Sequence, residues 1–83
     1  MEILSRARQV LDVEIEALQQ TRAALGSGFE DAVSRMLICL ASHGKIVVTG
    51  VGKNLHVAEK ISATLASTGA TSVVLNPTQA MHG

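Results

Sequence analysis

Two short runs of β-branched and aliphatic residues bracket a stretch of helical periodicity in the second half of this 83-residue chain. The first is Ile46-Val47-Val48-Thr49-Gly50 and the second Ser72-Val73-Val74-Leu75. Neither alternates polar with apolar, as expected of parallel strands covered on both faces. Between them, residues 54–68 place Val57, Ala58, Ile61, Leu65 and Ala66 on one helical face, and Gly69 ends the run. Strand, helix, strand in that order predicts one parallel βαβ unit, whose crossover is almost always right-handed. Asn76-Pro77 closes the second strand.

Upstream of this unit the period is helical throughout. Leu4, Ala7, Leu11, Ile15, Leu18 and Leu25, with Val10 alongside, form an apolar stripe between charged residues, predicting an amphipathic helix over 2–25. Its partner is either the rest of its own chain or another subunit. Gly26-Ser27-Gly28 interrupts the pattern, and Ser27 with Glu30 has capping-box spacing. A second helix is expected over 29–43, with Phe29, Ala32, Val33, Met36, Leu37 and Leu40 on one face and Gly44 as its stop.

Composition limits the function. The chain is 47% hydrophobic and 17% charged, too apolar for a disordered segment. Phe29 is its one aromatic residue, so a core must come from Ile, Leu, Val, Met and Ala. Seven basic and seven acidic residues cancel, leaving no net field to attract nucleic acid or an anionic membrane. The single cysteine, Cys39, excludes an internal disulfide framework and suits a reducing compartment, so a cytoplasmic protein is expected. No apolar run approaches the length of a membrane span, and the N-terminus lacks a signal-peptide core.

The most informative segment is the turn Thr49-Gly50-Val51-Gly52-Lys53-Asn54. Glycines let backbone N–H groups approach a ligand, a helix N-terminus favours anions, and a lysine adds a point charge suited to phosphate. Ligands of open α/β sheets bind at the carboxyl ends of strands, where this turn lies. The same glycines also suit a plain tight turn. Two well-known loops do not fit. A P-loop needs glycine at Val47 and Ser or Thr at Asn54, and a dinucleotide fingerprint needs glycine at Leu55. Spacing therefore points to neither ATP nor NAD.

The tail from Asn76 to Gly83 leaves the second strand on the same edge, so His82 can reach a ligand held there. A histidine next to a chain end is also commonly a frayed surface residue. His43 reads as a helix C-terminal residue, His56 as half-exposed, and Cys39 as a small core residue. The three histidines lack metal-ligand spacing, and no metal or cofactor is assigned.

Residues 46–83 resemble the arabinose-5-phosphate isomerase family, whose members are sugar isomerase (SIS) domain proteins. Thr49-Gly50, Gly52-Lys53, the run Thr64 to Gly69, Asn76-Pro77 and Ala80-x-His82-Gly83 stand in register with that family's pattern. The resemblance implies a flavodoxin-like α/β three-layer sandwich, here truncated to two N-terminal helices plus one parallel βαβ unit. Residues 1–83 would form the N-terminal part of a single SIS domain, with 1–44 a helical lead-in and 45–83 the βαβ unit and the start of an active-site loop. It implies interconversion of D-arabinose 5-phosphate and D-ribulose 5-phosphate, without a metal or cofactor. It also implies a homo-oligomer, a tetramer in the family, commonly supplying a precursor of lipopolysaccharide or capsule. Lys53 then matches an active-site lysine that anchors substrate, and His82 an acid/base or ring-opening histidine. Gly50, Gly52, Lys53, Asn54, Ser67 and Thr68 fall at substrate-binding positions.

Three residues depart from that pattern: Asn54 for serine, Leu55 for glycine and Gln79 for glutamate. They motivate an alternative, a non-catalytic phosphosugar-binding or regulatory module. The family's main phosphate loop, Ser-x-Ser-Gly-x-Thr, is not among these residues, so an inactive fragment is expected. In the family's sheet a third strand pairs with the free side of 46–50. Without it an apolar edge is open, and the isolated chain is expected to be marginal or self-associating.

Overall fold

The computed structural model describes residues 2–83. The elements in chain order are α1 (Ile3–Ala24), α2 (Ser27–Ala41), β1 (Ile46–Thr49), α3 (Lys53–Ser67), β2 (Ser72–Leu75) and α4 (Pro77–Met81). The chain divides within α2 into two compact units, one ending at Asp31 and the other spanning Ala32–Gly83.

The first unit is dominated by α1, an unbroken helix of 22 residues. Glu2 precedes it without a side-chain cap, and Leu25 is extended and ends it. Its apolar stripe is solvent-exposed from Ile3 to Leu25. The capping box expected at the start of α2 does not form. Ser27 is itself the first helical residue, and the N–H groups of Phe29 and Glu30 both donate to the Gly26 carbonyl. Gly26 leaves the chain free to turn there, so the helix begins two residues earlier than its apolar pattern indicates.

The second unit is the βαβ unit with the end of α2. α2 closes in a Schellman motif. The His43 N–H donates to Leu40 O and the Gly44 N–H to Cys39 O. The sequence points to Gly44 as the residue with positive φ, but His43 takes it, at 62°. Gly44 is needed for a different reason. A Cβ there would lie 2.8 Å from the Cys39 carbonyl oxygen and against the Cys39 sulfur. Close approach claims the glycine, and the left-handed conformation falls to its neighbour.

β1 and β2 form a two-stranded parallel sheet, with Ile46 opposite Ser72 and Thr49 opposite Leu75. α3 packs on one face. Its inward residues are Leu55, Ala58, Ser62 and Leu65, of which Ala58 and Ser62 are buried. Ala58 and Ser62 lie one turn apart and are small, which lets the helix sit close to the strands. The Ser62 hydroxyl meets the Ser72 hydroxyl at 2.7 Å, so a buried polar atom of the helix is satisfied by the sheet.

Two expectations are corrected here. Val57 and Ile61, expected inward on α3, are 54% and 46% exposed, because the helix turns its small residues to the sheet. The strands, expected to be covered on both faces, are covered on one. Ile46, Val48 and Ser72 are half-buried, while Val47, Val73 and Leu75 are exposed. Ala58 is the one buried apolar residue among those described.

Candidate functional site

Because β1 and β2 are parallel, their carboxyl ends share one edge, and both following turns open there. The strand ends are tied by a bond from the Thr49 hydroxyl to the Leu75 carbonyl, 2.6 Å long. That bond satisfies the last carbonyl of β2 and holds the two turns at a set separation. Thr49 stood out in the sequence only as part of a pattern, since its partner is 26 residues away.

In the turn after β1 the two glycines act for different reasons. A Cβ on Gly50 would stand 2.6 Å from the Asn54 carbonyl oxygen and 2.7 Å from its carbon. Gly50 is therefore where the first turn of α3 lies directly on the strand end. Gly52 has φ 61° and ψ −131°, which side-chain-bearing residues adopt only under strain. With the Asn54 N–H donating to Val51 O at 3.2 Å, residues 51–54 make a type II′ turn that launches α3. Nothing lies within 4 Å of where a Gly52 Cβ would be.

The mouth of α3 is consequently open. No side chain caps it, and among the described residues the N–H groups of Gly52 and Lys53 have no acceptor. Lys53 is the first helical residue, exposed, and in no ion pair. Asn54 is exposed beside it. Positive dipole end, free donors and ammonium coincide, an arrangement suited to an anionic oxygen or phosphate.

The turn after β2 is built the opposite way. Asn76 caps α4, its Oδ1 accepting from Thr78 N at 3.0 Å and Gln79 N at 3.2 Å, with Pro77 at the first helical position. The sequence led to a loop here. The signal for a helix was present, since Asn before Pro supplies both a cap and a preset φ. His82 follows as the exposed C-cap of this one-turn helix.

The expected site residues thus divide. Gly50, Gly52, Lys53 and Asn54 are together at one turn, and His82 lies beyond the other strand on the same edge. No hydrogen bond or ion pair joins Lys53 to His82 among the described residues. Ser67 and Thr68 sit at the far end of α3, about 21 Å from Lys53 at 1.5 Å per residue. Their hydroxyls donate to the carbonyls of Thr64 and Leu65. Within one chain the structure does not bring them to the glycine turn. His56 lies 3.9 Å from Glu59 on the outer face of α3, with both side chains exposed.

Among known proteins, the chain is 40% identical over 81 residues to arabinose 5-phosphate isomerase GutQ of Escherichia coli, covering 98% of this chain and 24% of that protein. It is 37% identical over 83 residues to arabinose 5-phosphate isomerase KdsD of Pseudomonas aeruginosa, and 40% identical over 83 residues to a probable arabinose 5-phosphate isomerase of Haemophilus influenzae. In each case all of this chain aligns with 24% of the relative. The chain therefore spans about a quarter of the length of the curated relatives it matches. No protein-family model matches it, and no solved structure matches it significantly. No helix among the described residues is long and apolar enough to cross a membrane. With near-complete coverage at this identity, and with the mixed α/β order that the motifs require, the chain belongs to the arabinose 5-phosphate isomerase family as a counterpart of its N-terminal part.

Proposed function

We propose that this segment supplies the sugar-facing part of a sugar-phosphate isomerase that interconverts D-arabinose 5-phosphate and D-ribulose 5-phosphate. The observation that carries the reading is the open N-terminus of α3, where free N–H groups and Lys53 converge at the carboxyl edge of the strands. The names of the relatives support the substrate.

Aldose and ketose differ in where one carbon-bound proton and one carbonyl reside. A base takes the proton from C2 of the aldose, leaving an enediolate; a proton passes from the C2 hydroxyl to the C1 oxygen, and an acid returns a proton to C1 as the C2 carbonyl forms. Negative charge develops on the sugar oxygen as the proton leaves. In this reading Lys53 and the Gly52 and Lys53 N–H groups stabilise that charge or anchor the phosphate. His82 opens the sugar ring or moves a proton. Gly50 and Gly52 shape the turn, and Asn54 offers a donor and an acceptor to a hydroxyl. Ser67 and Thr68 lie too far along α3 to share the site within one chain. The setting that goes with this reading is a cytoplasmic homo-oligomer acting on a phosphorylated pentose for lipopolysaccharide or capsule.

The non-catalytic alternative rests on Asn54, Leu55 and Gln79, and one of the three loses its force. Leu55 is half-buried on the inward face of α3, a packing position rather than a ligand-facing one. Asn54 and Gln79 are exposed. The test compares the 83-residue chain with a polypeptide of the relatives' length that contains it. The short chain is expected to show no turnover of arabinose 5-phosphate and the longer one to turn it over. Turnover by the short chain would overturn the inactive-fragment part of the reading. A long chain that binds but never isomerises the sugar would favour the regulatory alternative.

A further inference from the structure

The tie between the strand ends stands where a rung of the sheet belongs. At the amino end of the pair, the Ile46 N–H donates to Thr71 O at 2.9 Å. A parallel ladder repeats that bond every second residue, so continuing it brings the Gly50 N–H to the Leu75 carbonyl. Among the described residues that rung is not made. The Thr49 hydroxyl takes the acceptor instead, at 2.6 Å. Gly50 has left the ladder and lies against α3, where a Cβ on it would stand 2.6 Å from the Asn54 carbonyl oxygen.

From this we infer that Thr49 is a positioning residue, whose hydroxyl replaces the Gly50 rung and sets the spacing between Lys53 and His82. The inference rests on the isomerase reading for what those two side chains act on. Thr49 and Leu75 are opposite each other in adjacent strands, about 4.8 Å apart. Lys53 begins α3 four residues beyond Thr49, and His82 caps α4 seven residues beyond Leu75. The substitution of hydroxyl for N–H has two effects. It lets the chain leave the sheet at Gly50, so that α3 starts directly over the strand end. It also keeps that departing turn fixed to the strand that leads to His82. Beyond the ladder itself, this is the one hydrogen bond among the described residues that joins the two turn segments.

Two simpler roles fit less well. Thr49 is no acid or base, because its single hydroxyl proton is held by Leu75 O. Nor does stability call for the bond. Thr49 and Leu75 are both exposed, so water would serve the carbonyl if the hydroxyl were lost. Water does not fix a spacing, however. A misplacement of about 1 Å between reacting groups costs about a hundredfold in rate, so a tie of little worth to folding is worth much to the site.

Thr49→Val keeps the shape and removes the hydroxyl, and Thr49→Ser keeps the hydroxyl. Both are made in a polypeptide of the relatives' length and assayed with arabinose 5-phosphate. Thr49→Val is expected to lower kcat by about tenfold while changing KM by less than about threefold, and Thr49→Ser to retain most of kcat. Beside Lys53→Ala the loss from Thr49→Val should vanish, since no spacing to Lys53 is left to disturb. An unchanged kcat in Thr49→Val, or a loss that persists in full beside Lys53→Ala, would overturn the inference and leave the isomerase reading standing. A parent polypeptide without turnover would count against that reading instead. Amide exchange followed by mass spectrometry then decides the inference without any turnover. Thr49→Val should speed exchange across residues 76–82 by about tenfold, and Thr49→Ser should not. Unchanged exchange there in Thr49→Val would show that the tie does not hold the second turn, and would overturn it.

Discussion

Two strand-to-helix turns open on the same edge of the sheet, and they treat their helix ends oppositely. The turn after β1 leaves the N–H groups of Gly52 and Lys53 free and places an ammonium beside them. The turn after β2 spends its donors internally, on the Asn76 side chain, with Pro77 removing another. An uncapped helix end costs stability, since a missing cap is worth about 1 kcal/mol. The difference teaches that the first turn leaves backbone donors free, while the second satisfies its own with a side chain.

The comparison can be broken at four places, taken from the largest expected effect downward. In a polypeptide of the relatives' length, Lys53→Ala should lower kcat/KM for arabinose 5-phosphate by about a hundredfold or more, the scale of losing one preorganised electrostatic partner. Thr78→Ala, which alters the first turn of α4 but leaves its backbone donor to Asn76, should change the rate little. Equal losses from both substitutions would end the distinction between the turns.

Gly50→Ala should destabilise the βαβ unit by about 1–3 kcal/mol, because its Cβ meets the backbone of Asn54, which cannot move without shifting α3. Denaturant titration followed by circular dichroism would show it. Gly52→Ala should cost about 1–2 kcal/mol, for conformation alone, since the space around it is empty. That substitution should also weaken phosphosugar binding by displacing the free N–H groups, so a stability loss with unchanged binding would count against the open turn as a site. Asn76→Ala should cost about 1 kcal/mol by uncapping α4, and should leave the affinity of the first turn unaltered.

Much of this fold was legible in the residues. The βαβ order, the position of the glycine turn and the helix ending at Gly69 follow from periodicity and turn chemistry, which are local. α4 was legible in Asn76-Pro77, although the same pair also closes a strand. The candidate turn was legible as a contiguous stretch, from Gly50 to Asn54. It was not legible where it depends on distant partners. The tie from Thr49 to Leu75 and the Ser62–Ser72 contact join residues far apart in the chain, and no local rule pairs them.

The amino-acid order by itself determined the order helix, helix, strand, helix, strand, and that a helix follows directly on the glycine turn beside Lys53. Those outcomes rest on backbone conformation and on side-chain period, both carried by neighbours in sequence. Tertiary structure alone decided which face of α3 meets the sheet, and it chose small Ala58 and Ser62 over larger Val57 and Ile61. At the end of α2, His43 rather than Gly44 takes the left-handed turn, and Gly44 fills a place beside Cys39 that admits no Cβ. Close packing is a property of what stands opposite, and that is settled only when the elements meet.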